Sequence, residues 1–65
     1  MKYSFHEDRV SERSINYYGY DDPTGILVDG QKYEVQWVRT YDWHTTVSLL
    51  DFPGKIFNSV WFDSA

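Results

Sequence analysis

The chain has 65 residues, enough for one small domain, and its ten acidic and six basic side chains give a formal net charge of −4. It contains no cysteine, which excludes disulfide bonds and thiolate zinc sites. The acidic balance and the dispersed Lys and Arg residues disfavour non-specific binding to duplex nucleic acid or to a membrane surface.

The first fourteen residues are predicted to be an N-terminal extension or an edge strand. Tyr3 and Phe5 alternate with polar residues, which indicates a short strand at the edge of a sheet. Residues 6–14 are polar except for Val10 and show no periodicity, so we expect an irregular segment there.

Residues 15–31 are predicted to contain the first strands of a barrel that extends over 15–63. The segment 15–20 is rich in Tyr, which favours strands, and 21–25 contains turn-forming residues. The apolar run 26–28 is followed by Asp-Gly, a typical tight turn.

The clearest pattern in the sequence lies in residues 32–41. Tyr33, Val35 and Trp37 alternate with polar residues, so this segment is predicted to be a strand with these three side chains in the core. Two more strand segments follow, at 45–50 and within 55–63, separated by a turn.

In the last segment, Val60 and Phe62 are expected to point inward and Trp61 outward. Strands at intervals of about 8–12 residues, each ended by a turn, indicate an all-β fold. We therefore predict a single domain over residues 1–65, built as a small five-stranded barrel, since closure leaves no exposed sheet edges.

Four segments resemble motifs of the Src-homology-3 (SH3) family. Residues 17–22 resemble its aromatic and acidic opening, and residues 26–35 resemble its second motif. Residues 41–44 resemble its Asp-Trp-Trp motif, and residues 54–60 resemble its closing Gly-x-Ile-Pro-Ser-Asn-Tyr-Val motif. This resemblance implies an SH3-like barrel and, as in that family, binding of proline-rich peptides. Phe57 replaces the proline that lines the peptide groove of the family, which argues against the same ligand. The compact pattern also resembles small uncharacterised proteins of bacterial viruses.

The sequence lacks the residue patterns of an enzyme. Its only clusters of metal-ligating residue types, at 6–8 and 42–44, have no known ligand spacing, so we expect no metal and no cofactor. No serine lies in a nucleophile-elbow context. With no apolar run long enough for a membrane span and no signal-peptide pattern, a cytoplasmic protein is predicted, in the host cytoplasm if it is viral.

The aromatic residues lead to the functional prediction. Thirteen rings in 65 residues exceed the needs of one small core, so some must lie at the surface. Exposed Tyr and Trp are typical anchors of protein interfaces. We predict a protein-binding module with a ring patch and an acidic rim, comprising Tyr18, Tyr20, Trp43, Asp21, Asp22 and Asp42.

Several functions are compatible with such a patch. If the chain is viral, its partner is a host protein, inhibited by occlusion or by acidic mimicry of nucleic acid. The alternatives are a proline-rich peptide binder, a piece that exists only as a homo-oligomer, and a single-stranded nucleic-acid binder using Tyr17, Tyr20, Trp43 and Lys55. Nucleic acid is disfavoured by the net negative charge.

Overall fold

The computed structural model describes all 65 residues and contains a single five-stranded antiparallel sheet. The strands are β1 (Lys2–Phe5), β2 (Lys32–Thr40), β3 (Thr45–Leu49), β4 (Phe57–Asn58) and β5 (Phe62–Ser64). Their order in the sheet is β4-β3-β2-β1-β5. The predicted all-β, five-stranded fold is therefore confirmed.

The helical segments are short. One α-helix, α1, covers Glu12–Asn16, and 3-10 turns occupy Glu7–Arg9 and Ser59–Trp61. None of these segments has the length and apolar character needed to span a bilayer.

The predicted edge strand near the N-terminus lies inside the sheet. β1 pairs with β2 on one side and with β5 on the other, so that Tyr3 is opposite both Tyr33 and Ser64. Phe5 in this strand is completely buried. The alternation of Tyr3 and Phe5 thus indicated the strand correctly, but its position at an edge was wrong.

The strand predicted at residues 15–20 is absent, because a helix and a turn occupy this segment. α1 begins after Ser11, whose hydroxyl accepts a hydrogen bond from the Ser14 amide, while the Ser14 hydroxyl accepts one from the Ser11 amide. This reciprocal capping starts the helix within a polar stretch that shows no apolar periodicity. The chain then turns at Gly19, which has a φ of 75°, a conformation that glycine adopts without strain.

The apolar run 26–28 is also not a strand. The amides of Ile26 and Leu27 both donate to the carbonyl of Pro23, forming a turn that buries Leu27. The whole connection from β1 to β2 therefore consists of turns, α1 and loop, packed on the sheet.

A β-bulge in β2 changes which side chains face the core. Val35 lies opposite Leu49 but Trp37 lies opposite Ser48, so β2 contains one extra residue between the two pairs. Tyr33 lies in the core and Val35 packs against it, as predicted. The next β2 side chain to pack against the core is Val38. The predicted inward position of Trp37 is wrong, since a bulge reverses the side-chain alternation that follows it.

The core consists mainly of aromatic rings. Its nine apolar members are Phe5, Tyr20, Leu27, Tyr33, Val47, Leu49, Phe57, Trp61 and Phe62. Phe62 is buried as predicted, but Trp61 is fully buried and Val60 is 56% exposed, opposite to the prediction. The reason is that Ser59–Trp61 form a 3-10 turn, in which strand alternation does not apply.

Candidate functional site

Four exposed aromatic side chains gather on one side of the molecule. Tyr17 and Tyr18 follow α1, and Tyr41 and Trp43 lie in the loop between β2 and β3. We call these four residues the aromatic surface. Trp43 is 84% exposed, more than any other large apolar side chain.

His44 lies at the centre of the aromatic surface. Its ring centroid is 4.1 Å from that of Tyr18 and 4.7 Å from that of Tyr41, to which it is nearly parallel. The Tyr17 ring centroid is 5.9 Å from that of His44, and the two ring planes meet at 79°. The His44 Nε2 atom is buried and has no hydrogen-bond partner within the chain.

Hydrogen bonds fix the loop that carries Trp43. The Tyr41 amide donates to the His44 carbonyl at 2.8 Å, which closes the loop between β2 and β3. The Tyr17 hydroxyl donates to the Trp43 carbonyl at 3.3 Å and links this loop to the end of α1. The Trp43 ring itself remains in solvent.

The structure brings together only part of the predicted ring patch. Tyr18 and Trp43 are exposed, but Tyr20 is only 4% exposed and belongs to the core. Its hydroxyl lies 3.1 Å from the Thr46 hydroxyl, and burial raises the pKa of Tyr20. The expected exposure of Tyr20 is corrected: the two tyrosines share a parity, but the segment is not a strand, so parity does not place them on one side.

The three predicted acidic rim residues differ in their roles. Asp21 is half-buried, and its carboxylate accepts a hydrogen bond from the Ile56 amide at 2.8 Å. The Asp22 carboxylate accepts one from the Thr24 amide at 2.9 Å, which lowers the pKa of Asp22. Asp42 is exposed and precedes Trp43. Asp21 and Asp22 thus hold the connection from β1 to β2 in place, and Asp42 alone flanks the exposed rings.

A pocket of about 320 Å³ opens beside the aromatic surface. Tyr17, Trp43 and Val60 supply its apolar walls, and Arg13 supplies a guanidinium group. The pocket lies between α1, the loop joining β2 to β3, and the 3-10 turn Ser59–Trp61.

The polar side of the pocket is held by hydrogen bonds to Ser14. The Asn58 amide donates to the Ser14 carbonyl at 3.1 Å, and the Trp61 indole N–H donates to the Ser14 hydroxyl at 2.9 Å. These bonds attach α1 to the sheet and keep the Arg13 position fixed relative to β4. Sequence reasoning missed Arg13 and Val60; the serine spacing of the capping box was the available signal for a helix there.

The residues proposed for stacking on single-stranded nucleic acid do not form one site. Tyr17 and Trp43 line the pocket, whereas Tyr20 is in the core and Lys55 lies in the turn before β4, outside the pocket. No group of three or more His, Asp and Glu side chains is placed to hold a metal ion.

Comparison of the chain with models of protein families, with curated proteins and with solved structures found no match. The fold and the site together define a small all-β domain with an exposed aromatic surface and an adjacent pocket.

Proposed function

We propose that the chain is a non-enzymatic protein-binding module built on an SH3-like small barrel, and that its aromatic surface is the binding site. The observation that carries this proposal is the exposure of Trp43 beside Tyr17, Tyr18 and Tyr41. Large rings grouped in solvent are characteristic of interface anchors, because they bury much apolar area at a small cost in side-chain entropy.

The topology supports the SH3-like part of the proposal. The first strand pairs with the last, the other strands follow in chain order, and a 3-10 turn precedes β5. The exposed rings lie on the two connections that flank the pocket, from β1 to β2 and from β2 to β3. A rigid sheet with recognition residues on its loops is a common design for binding modules.

The distribution of the acids favours occlusion of a partner surface over mimicry of nucleic acid. Mimicry needs carboxylates that remain free to meet a basic cleft. Half of the ten carboxylates already accept hydrogen bonds within the chain: Asp21, Asp22, Asp29, Glu34 and Asp63. If the chain is a viral inhibitor of a host protein, as its compact pattern suggests, the aromatic surface is the part that covers the target.

A capture experiment tests the proposal. The immobilised protein is exposed to a bacterial lysate treated with nuclease, and the bound proteins are identified by mass spectrometry. The double variant Tyr18→Ser/Trp43→Ser should fold normally, since both side chains are exposed, and should lose the captured partner. The matched control is Leu50→Ser, which removes an exposed apolar side chain from a different loop.

If the double variant still captures the same partner, the interface lies elsewhere on the molecule. Capture that is seen with an untreated lysate and lost after nuclease treatment would instead favour binding of single-stranded nucleic acid. If the partner is a second copy of the chain, the molar mass of the purified protein in solution should rise with its concentration.

A further inference from the structure

We propose that the pocket beside the aromatic surface binds an acidic peptide segment, with a carboxylate on Arg13 and a neighbouring apolar side chain between Tyr17, Trp43 and Val60. This inference rests on the proposed function, because it names the kind of partner that the same surface takes.

The first support is the charge of the pocket. The chain carries ten acidic side chains and a net charge of −4, yet none of the ten lines the pocket. Arg13 lines it and forms no ion pair within the chain, whereas Arg9 is bound by Asp63 through two hydrogen bonds of 2.9 and 3.0 Å. A free guanidinium presents a planar set of N–H donors that matches a carboxylate.

The second support is the set of remaining donors. The Ser11 hydroxyl accepts a hydrogen bond from the Ser14 amide, which leaves its own hydrogen available to a ligand oxygen. The Asn58 amide uses one N–H for the Ser14 carbonyl and has a second N–H without a partner in the chain. Ser11 and Asn58 both line the pocket, and each retains a donor that a carboxylate ligand can use.

The third support distinguishes a peptide from a nucleic acid. A strand of nucleic acid brings one phosphate for every nucleotide, and the net charge of −4 opposes such a polyanion. A single carboxylate needs only the one local cation that Arg13 supplies. The volume of about 320 Å³ is at the small end of ligand pockets, which suits one or two side chains of a peptide.

Selection from a displayed library of random peptides, with the intact protein as bait, tests this inference. We expect the enriched sequences to contain Asp or Glu next to an apolar residue. A synthetic peptide of the enriched sequence, labelled with a fluorophore, should then bind about tenfold more weakly to Arg13→Gln than to the unaltered protein. Arg39→Gln is the matched control, because Arg39 is an exposed cation on β2 outside the pocket.

The peptide side supplies the complementary measurement. Replacing its acidic residue by the amide should weaken binding to the same extent, and the two changes together should cost no more than either one alone. Enriched peptides without acidic residues, or peptides that bind Arg13→Gln unchanged, would overturn this inference and leave the proposed function standing. A library that yields no binder at all would also overturn this inference, while the lysate capture still decides the proposed function. Tight, Arg13-dependent binding of labelled oligothymidylate would replace the peptide by nucleic acid.

Discussion

The aromatic residues of this protein form two groups that differ in their surroundings. One group is buried in the core and includes Phe5, Phe57, Trp61 and Phe62. The other is the aromatic surface of Tyr17, Tyr18, Tyr41 and Trp43. The buried rings contact one another mostly at steep angles, and the exposed ones surround His44.

The comparison teaches that polar aromatic rings enter the core only where a hydrogen-bond partner exists. Tyr20 is buried with its hydroxyl next to Thr46, and Tyr33 is buried with its hydroxyl accepting from the Val28 amide at 2.8 Å. The buried indole N–H of Trp61 donates to Ser14. An unpartnered hydroxyl or N–H in the core would cost free energy, so rings without such a partner remain at the surface.

The largest expected difference in the free energy of unfolding is between alanine substitutions of one ring from each group. Trp61→Ala removes a completely buried side chain and should lower the free energy of unfolding by about 3–5 kcal/mol, most of the stability of so small a domain. Trp43→Ala should change it by less than about 0.5 kcal/mol, because the ring is in solvent. Urea unfolding followed by far-ultraviolet circular dichroism measures both, and equal losses would abolish the distinction between the two groups.

An intermediate effect is expected at Tyr20, a core ring that also contacts Tyr18 of the aromatic surface. Tyr20→Phe leaves the buried Thr46 hydroxyl without its partner and should cost about 1–3 kcal/mol. Tyr17→Phe is the control, since its hydroxyl is exposed and its bond to Trp43 is long. The same denaturation experiment applies, and equal stability of the two variants would show that the Thr46 contact contributes nothing.

The Tyr20 phenol also gives a signature in alkaline solution. Burial raises its pKa above the usual 10.0, so the folded state favours the neutral phenol. The resulting stability is fully present below pH 10.0 and is lost as the pH rises through the folded pKa. In a titration of tyrosine absorbance, Tyr20→Phe should remove a phenol that ionises above pH 10.0.

The smallest effect on stability is expected at the exposed carboxylate of Asp63. Asp63 on β5 accepts hydrogen bonds from Arg9, and its carboxylate lies 3.0 Å from the His6 ring nitrogen. The hydrogen bond from Arg9 is the main reason that the pKa of Asp63 lies below 3.8. The stability it contributes is present above pH 3.8 and is lost as the pH falls through the lower folded pKa. Because Asp63 is exposed, the contribution is small.

Melting temperatures from about pH 5 to about pH 2 check this dependence. The melting temperature of Asp63→Asn should fall less steeply with acidification than that of the unaltered protein. Asp51→Asn, at an exposed carboxylate without a partner in the chain, should retain the original slope. Identical slopes for Asp63→Asn and the unaltered protein would show that the Arg9 contact is absent in solution.

The sequence predicted the fold class and the strands β2 and β3 because their apolar alternation is long enough to be read directly. Tyr33, Val35, Val47 and Leu49 all pack in the core as their parity indicates. Trp37 does not, since the bulge that reverses its direction is set by pairing with β3 and leaves no mark in the local pattern.

The candidate site was predicted only where it depends on exposed rings. Tyr18 and Trp43 are in solvent as expected, but the pocket depends on α1 and on the turn Ser59–Trp61, which strand parity could not predict. Arg13 belongs to a polar segment that becomes part of the site only through long-range bonds to Asn58 and Trp61. Such contacts follow from tertiary packing, which outweighs local propensity in short elements.

The pairing of β1 with β5 has a consequence for biosynthesis. β1 precedes all the other strands in the chain, but half of its sheet partners are residues 62–64, and the Ala65 amide donates to the Lys2 carbonyl. The β2–β3 hairpin can form earlier, because its strands are joined by a short loop. Closing the long loop between β1 and β5 costs chain entropy before it gains contacts, so we expect the pairing of β1 with β5 to form late in folding, once Ser64 has been synthesised.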